Sequence, residues 1–153
     1  MRTTVRLFEI ILRTKAEKSD RGLSWARPDI DFFGAGACHI LAAAFIDSYP
    51  DAGFRAVMLK PVEGHVRGAH VVVSNGHQIF DCRGWHEHFT FLTMYSAAMQ
   101  SQFPGWSCRL LHIDRPDGWD FCKAHNHRHP SQFILDPLLR AKTFLAQFPG
   151  PAP

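Results

Sequence analysis

Two stretches decide the fold: residues 34–50, GAGACHILAAAFIDSYP, and residues 69–82, AHVVVSNGHQIFDC. In the first, Gly34-Ala-Gly-Ala leaves the backbone free to approach a substrate closely. The run that follows is built of strong helix formers and apolar residues with no breaker before Pro50, which predicts a helix over residues 38–48. Cys38 opens that helix. Leu41, Ala42 and Phe45 lie three, four and seven residues beyond it, so the sulfur projects from the stripe that the helix must bury and is directed toward a sheet.

The second stretch reads as a β-hairpin, because Val, Ile and Phe flank the turn signal Asn75-Gly76. A two-residue turn there pairs Ser74 with His77 and, counting outward, sets His70 directly opposite Asp81 on one face. A four-residue loop is expected to give the same register, and a three-residue loop to break it. Close cross-strand neighbours of this kind let a carboxylate hold one imidazole nitrogen and fix its tautomer.

Working outward, residues 54–60 and 107–113 read as further strands, residues 86–102 and 131–147 as helices, and residues 4–18 as a first amphipathic helix. Residues 19–33 and 115–130 mix charge, Gly and Pro and read as loops, and the final Gly150-Pro-Ala-Pro as a frayed tail. With 153 residues, 46% hydrophobic, 20% charged and without an internal repeat or linker, the chain is expected to form one domain over residues 1–153. The net charge of +3 is scattered, so nucleic-acid binding is weakly signalled. Arg2, Arg6, Glu9, Arg13 and Lys15 interrupt the amino terminus, which therefore offers no export signal or spanning helix. Cysteines at 38, 82, 108 and 122 lack tight paired spacing and read as reduced thiols of a cytoplasmic protein.

A thiol at a helix start has its pKa lowered by the unpaired N–H groups there. Joined to an imidazole and a carboxylate on a neighbouring sheet, it supplies nucleophile, general base and orienter for acyl transfer. Cys38, His70 and Asp81 are the candidate catalytic residues, with Asp81 ionised and His70 exchanging protons with the thiol and the leaving amine.

Gly36-Ala-Cys38 before an apolar helix, Phe54-Arg-Ala-Val, Gly68-Ala-His70-Val-Val-Val and Ile79-Phe-Asp81 together resemble the transglutaminase-like branch of the papain-like superfamily, over about a third of the chain. The resemblance implies an α+β fold with the cysteine helix packed on an antiparallel sheet and flanked by further helices. It also implies a Cys38-His70-Asp81 triad and a thioester intermediate that water or an amine resolves. The substrate would be a protein, peptide or amide, met without a cofactor or metal and away from membranes. The N–H of Cys38 and the segment before it are the expected oxyanion donors.

Two other readings stand beside this one. The domain could be a binding or effector module in which the triad residues only pack. It could instead be a zinc protein using Cys122 with His125, His127 and His129, or the pair His86 and His88. Cys82 should face the opposite side of its strand and belong to the core, Cys108 is expected to be structural, and Trp85, Trp106 and Trp119 are expected to anchor the core or line a groove.

Overall fold

Five strands pair into one antiparallel sheet in the computed structural model, which describes residues 8–62 and 64–153. The strands are β1 (Arg55–Pro61), β2 (His70–Ser74), β3 (Gln78–Asp81), β4 (Gly84–Glu87) and β5 (Cys108–Ile113), in the order β4-β3-β2-β1-β5. Among the described residues seven α-helices accompany them: α1 (Lys15–Ser19), α2 (Arg21–Trp25), α3 (Asp29–Gly34), α4 (Cys38–Ser48), α5 (His88–Gln102), α6 (Trp119–Ala124) and α7 (Pro137–Leu145). The α+β class is as expected. No helix among the described residues is long and apolar enough to cross a membrane.

Strand alternation sorts the core into two layers, as a period of two requires. Ala56, Met58, Val71, Val73 and Phe80 face α4, with α3, α6 and α7 packed around it. Val57, Leu59, Val72 and Ile79 face α5, where they meet Phe91, Tyr95, Met99, Trp106 and Ile10. Helix α4 is enclosed on every side from Cys38 to Phe45, which explains why its sequence is apolar all round rather than striped.

Several local expectations fail for identifiable reasons. Of the helix expected over residues 4–18, residues 1–7 lie outside the described residues, and residues 8–14 form no helix. Their apolar side chains lie against the α5 face instead, with Ile10 buried and Phe8 and Leu12 packed beside it. The helix starts only where Thr14 and Glu17 form a reciprocal capping box. Residues 19–33 are not a loop. Asp20 caps α2, accepting from the N–H of Gly22 and Leu23, and α3 follows Pro28. The Arg140 guanidinium ties this region down through Asp29 and the carbonyls of Trp25 and Arg27.

His86 and Glu87 belong to β4, and α5 starts one residue later, with the Glu87 carboxylate accepting from the N–H of Phe89 and Thr90. Residues 115–130 contain α6. The closing helix is shorter than expected, because Asp136 caps a start at Pro137 and residues 130–132 form a 3-10 turn. Residues 149–153 carry no regular structure, and just before the expected tail the indole N–H of Trp85 donates to the Pro149 carbonyl at 2.9 Å.

The approach to β2 is held unusually closely. Tyr95 donates to the Gly68 carbonyl at 2.7 Å and Trp106 to the Arg67 carbonyl at 2.8 Å. Gly68 sits at φ +87°, where a Cβ would overlap the Met99 methyl and stand 2.9 Å from its sulfur. Gly68→Ala therefore combines backbone strain with overpacking and is expected to cost about 2–4 kcal/mol. Urea unfolding would read this as a lower midpoint with an unchanged slope.

Candidate active site

Cys38 is the first residue of α4 and is buried, at 3% exposure. Ala37 before it supplies no side-chain cap, so the N–H groups at the start of α4 remain available to a developing negative charge. The sulfur accepts from the backbone N–H of Val71 at 3.3 Å. That bond forms because the ladder between β2 and β3 ends at Val73–Phe80, leaving the donor of Val71 beyond the last pair. The thiol thus points to the sheet, as expected, and enters it where the ladder opens.

The register of the hairpin differs from the one expected. Its pairs are Val73–Phe80 and Ser74–Ile79, and the same register sets Asp81 opposite Val72, diagonal to His70. The cause is the turn. Gly76, at φ +89°, and His77 form its corner, and the Asn75 side chain accepts from the N–H of His77 and Gln78. A shift of two residues keeps the face, so His70 and Asp81 still meet, with His70 Nε2 and Asp81 Oδ2 3.0 Å apart. This face is the α5 side: His70 stacks on Tyr95 at 5.3 Å. Cys38 arrives from the α4 side, and the three residues are gathered at the open end of the ladder from opposite faces of the sheet.

Asp81 is nearly enclosed and fully engaged. Arg83 Nη1 donates to Oδ2 at 2.6 Å, the Arg83 backbone N–H donates to Oδ1 at 2.8 Å, and His86 Nε2 lies 3.3 Å from Oδ1. Burial opposes its ionisation, but the bonds from His70 and His86 and the Arg83 charge outweigh it and hold the carboxyl well below its ordinary range. Burial likewise opposes charging of His70, yet Asp81 and the neighbouring Cys38 thiol raise it to about 9. The His70 ring is wholly enclosed, and its Nδ1, the nitrogen left for the thiol, forms no hydrogen bond.

Two further histidines reach Cys38 that the triad pattern did not name. Sulfur and one nitrogen each of His39 and His127 lie within 4.8 Å of one another. Against the penalty of burial, His127, His39 and His70 together lower the Cys38 thiol well below its usual value. His39 was legible as the next residue of the helix. His127 was not, because its placement depends on how α6 ends: Asn126 takes the left-handed conformation at φ +55° and the His127 N–H bonds the Cys122 carbonyl at 2.9 Å. That is a Schellman-type stop, with Asn in the usual Gly place.

The alternative zinc arrangement of Cys122 with the histidine run is not formed among the described residues. Cys122 is buried, its thiol pushed up to about 11 by burial and then by Asp117. His129 stacks on the half-exposed Trp119 at 3.9 Å and bonds Ser131. His86 and His88 engage Asp81 and Ser74 respectively. Cys82 is core, as expected, and Trp85 and Trp106 pack in the two core layers. All four cysteines are unpaired.

A groove of about 470 Å³ opens beside Cys38. Arg13, Lys18, Arg67, Arg128, His125 and His127 are among its walls, and the described lining residues include no Asp or Glu. Arg13 lies over Gly36, where a Cβ would stand 2.9 Å from its side chain. Burial and then Arg128 hold Arg13 below its usual pKa. No protein-family model matches this chain, and neither a curated protein nor a solved structure is found to resemble it.

The two shifted groups bracket the pH range of the buried pair. His70, raised from 6.5, stabilises the fold fully below 6.5, and that contribution is lost as pH climbs toward 9. Asp81, lowered from 3.8, contributes fully above 3.8 and loses its contribution below it. In a Cys38→Ala background, Asp81→Asn is expected to cost about 3 kcal/mol at pH 5–6. The cost should shrink as pH rises past 6.5, and urea unfolding of both proteins from pH 5 to 10 measures it.

Proposed function

We propose that this protein is a thiol-dependent acyl-transfer enzyme of the transglutaminase-like kind, acting on a peptide or amide with Cys38 as nucleophile, His70 as base and Asp81 as orienter. The observation that carries the reading is one contact: a thiol at a helix start beside an imidazole whose other nitrogen is 3.0 Å from a buried carboxylate. Support also comes from the order Cys, His, Asp along the chain and from a helix-on-antiparallel-sheet architecture. The four unpaired cysteines suit a reducing compartment.

In this mechanism the Cys38 proton passes to His70, and the thiolate attacks the carbonyl carbon of the substrate. The resulting oxyanion lies near the first N–H groups of α4 and the cationic wall that includes Arg13. The C–N bond then breaks, and the amine leaves with a proton. That proton is the one His70 took from Cys38, so His70 acts first as base and then as acid. Water or a second amine attacks the thioester, frees the acyl product and returns the proton to sulfur. The basic lining favours acyl donors that carry carboxylates near the scissile bond.

Thiol reactivity tests the proposal against the binding-module alternative. A catalytic Cys38 reacts with iodoacetamide at pH 6 well ahead of Cys82, Cys108 and Cys122, whose thiols are all raised by burial. Peptide mapping after brief labelling should find the adduct on Cys38, with Cys38→Ala unlabelled and folded. Asp81→Asn should slow the reaction by at least about tenfold, since one pKa step is worth that factor. Labelling of Cys38 no faster than of the other thiols at that pH favours a binding module.

A further inference from the structure

Three imidazoles surround one thiol, which is more than a triad requires. Two of them, His39 and His127, form a compact set with Cys38, their donor atoms within 4.8 Å of one another. Each ring is anchored by its other nitrogen. His39 Nε2 donates to the Arg128 carbonyl at 2.7 Å, and His127 Nδ1 donates to the His125 carbonyl at 2.7 Å. Those bonds fix the tautomers and leave a lone pair on His39 Nδ1 and on His127 Nε2. His39 Nδ1 is buried and without a hydrogen-bond partner. A ring nitrogen tied to a backbone carbonyl is the support that a metal-bound histidine ordinarily has, because it sets ring orientation and raises the basicity of the other nitrogen.

We infer that Cys38, His39 and His127 form a binding site for a divalent transition metal of the zinc class, in which the metal takes the nucleophilic sulfur as a ligand and masks it. One thiolate and two imidazoles are borderline-soft donors that suit Zn²⁺, and three protein ligands leave a fourth position. That position faces the groove, which Cys38 and His127 both line. Binding expels the thiol proton to solvent and forms the metal–sulfur bond, with no change of oxidation state. Arg13 and Arg128 at the rim oppose a bare cation and favour an anion as fourth ligand. The metal-bound protein is thus a resting form, and the metal-free protein is the reactive one.

The masking role rests on the acyl-transfer reading, whereas the metal site itself is tested apart from it, by binding to the purified full chain. Zn²⁺ alone is titrated against a chromophoric chelator at pH 7.5, with wild type and three variants. The expected result is one Zn²⁺ per chain, with affinity reduced at least about 100-fold in Cys38→Ser and in His127→Ala and unchanged in Cys122→Ser. His127 is on a loop and only partly enclosed, so its variant keeps a fold in which to test the site, and thermal melting confirms that it does. Zn²⁺ should also protect Cys38 from iodoacetamide, and EDTA should restore labelling. Absence of stoichiometric binding overturns the inference, as does wild-type affinity in the His127 variant. Rapid Cys38 labelling at pH 6 without zinc binding leaves only the acyl-transfer reading, and zinc binding with slow labelling of the metal-free protein leaves only the metal site.

Discussion

A buried carboxylate governs this molecule. Asp81 is a full negative charge in an apolar interior, a state that is tolerated only when donors surround it. Its partners come from the strand it pairs across, the turn it starts and the strand beyond: His70 on β2, the backbone and side chain of Arg83, and His86 on β4. Arg83 then extends the network, donating to the Glu9 carbonyl at 3.0 Å and standing 4.6 Å over the Phe8 ring. One charge therefore fastens three strands and the amino-terminal segment. The same carboxylate also holds the His70 ring and raises its proton affinity.

The second constraint is the place where the β2–β3 ladder stops. A continuous ladder would use the N–H of Val71 and close the edge against any side chain from α4. Because Asp81 turns away to meet Arg83 and pair with Gly84, that donor is free to hold the Cys38 sulfur. The opening lets a residue from one sheet face meet residues of the other. Stacking on Tyr95 keeps the His70 ring in plane, with an interplanar angle of 5°, and Tyr95 in turn holds the Gly68 carbonyl at the mouth of the groove. The network around Asp81 and the loop that borders the groove are thereby linked through one aromatic side chain.

How much of this was legible in the sequence follows from the range of each interaction. The α4 helix was readable to the residue, because its ends are set locally by Gly36 and Pro50 and its core by composition. Strands β1, β2, β3 and β5 were readable within a residue or two for the same reason, whereas β4 was missed, its residues 86 and 87 having been read into the following helix. The hairpin register was missed by two because the Asn75 side chain bonds the turn backbone, a competition that a residue count does not include. The cap at Thr14 was overridden by the apolar spacing upstream of it, which set the expected helix too early, and the cap at Asp20 was hidden in a stretch whose mixed composition read as loop. His127 was out of reach in principle: its contact with Cys38 spans most of the chain and depends on a left-handed Asn126.

The local charge balance makes the site's demand specific. The groove wall holds four basic side chains, Arg13, Lys18, Arg67 and Arg128, and around the sulfur His70 and His127 are both raised in proton affinity. Of the acidic side chains close to this set, Asp81 is already neutralised by Arg83 and Glu17 is paired with Arg27. A surplus of positive charge in a concave, partly desolvated site costs free energy that an incoming anion relieves. Against burial, the Cys38 thiol is lowered chiefly by its hydrogen bonds with His127, His39 and His70 and then by the His70 charge. The lowered Cys38 thiol and the pull on an incoming anion therefore arise side by side, the first from the histidines around the sulfur and the second from the cationic rim.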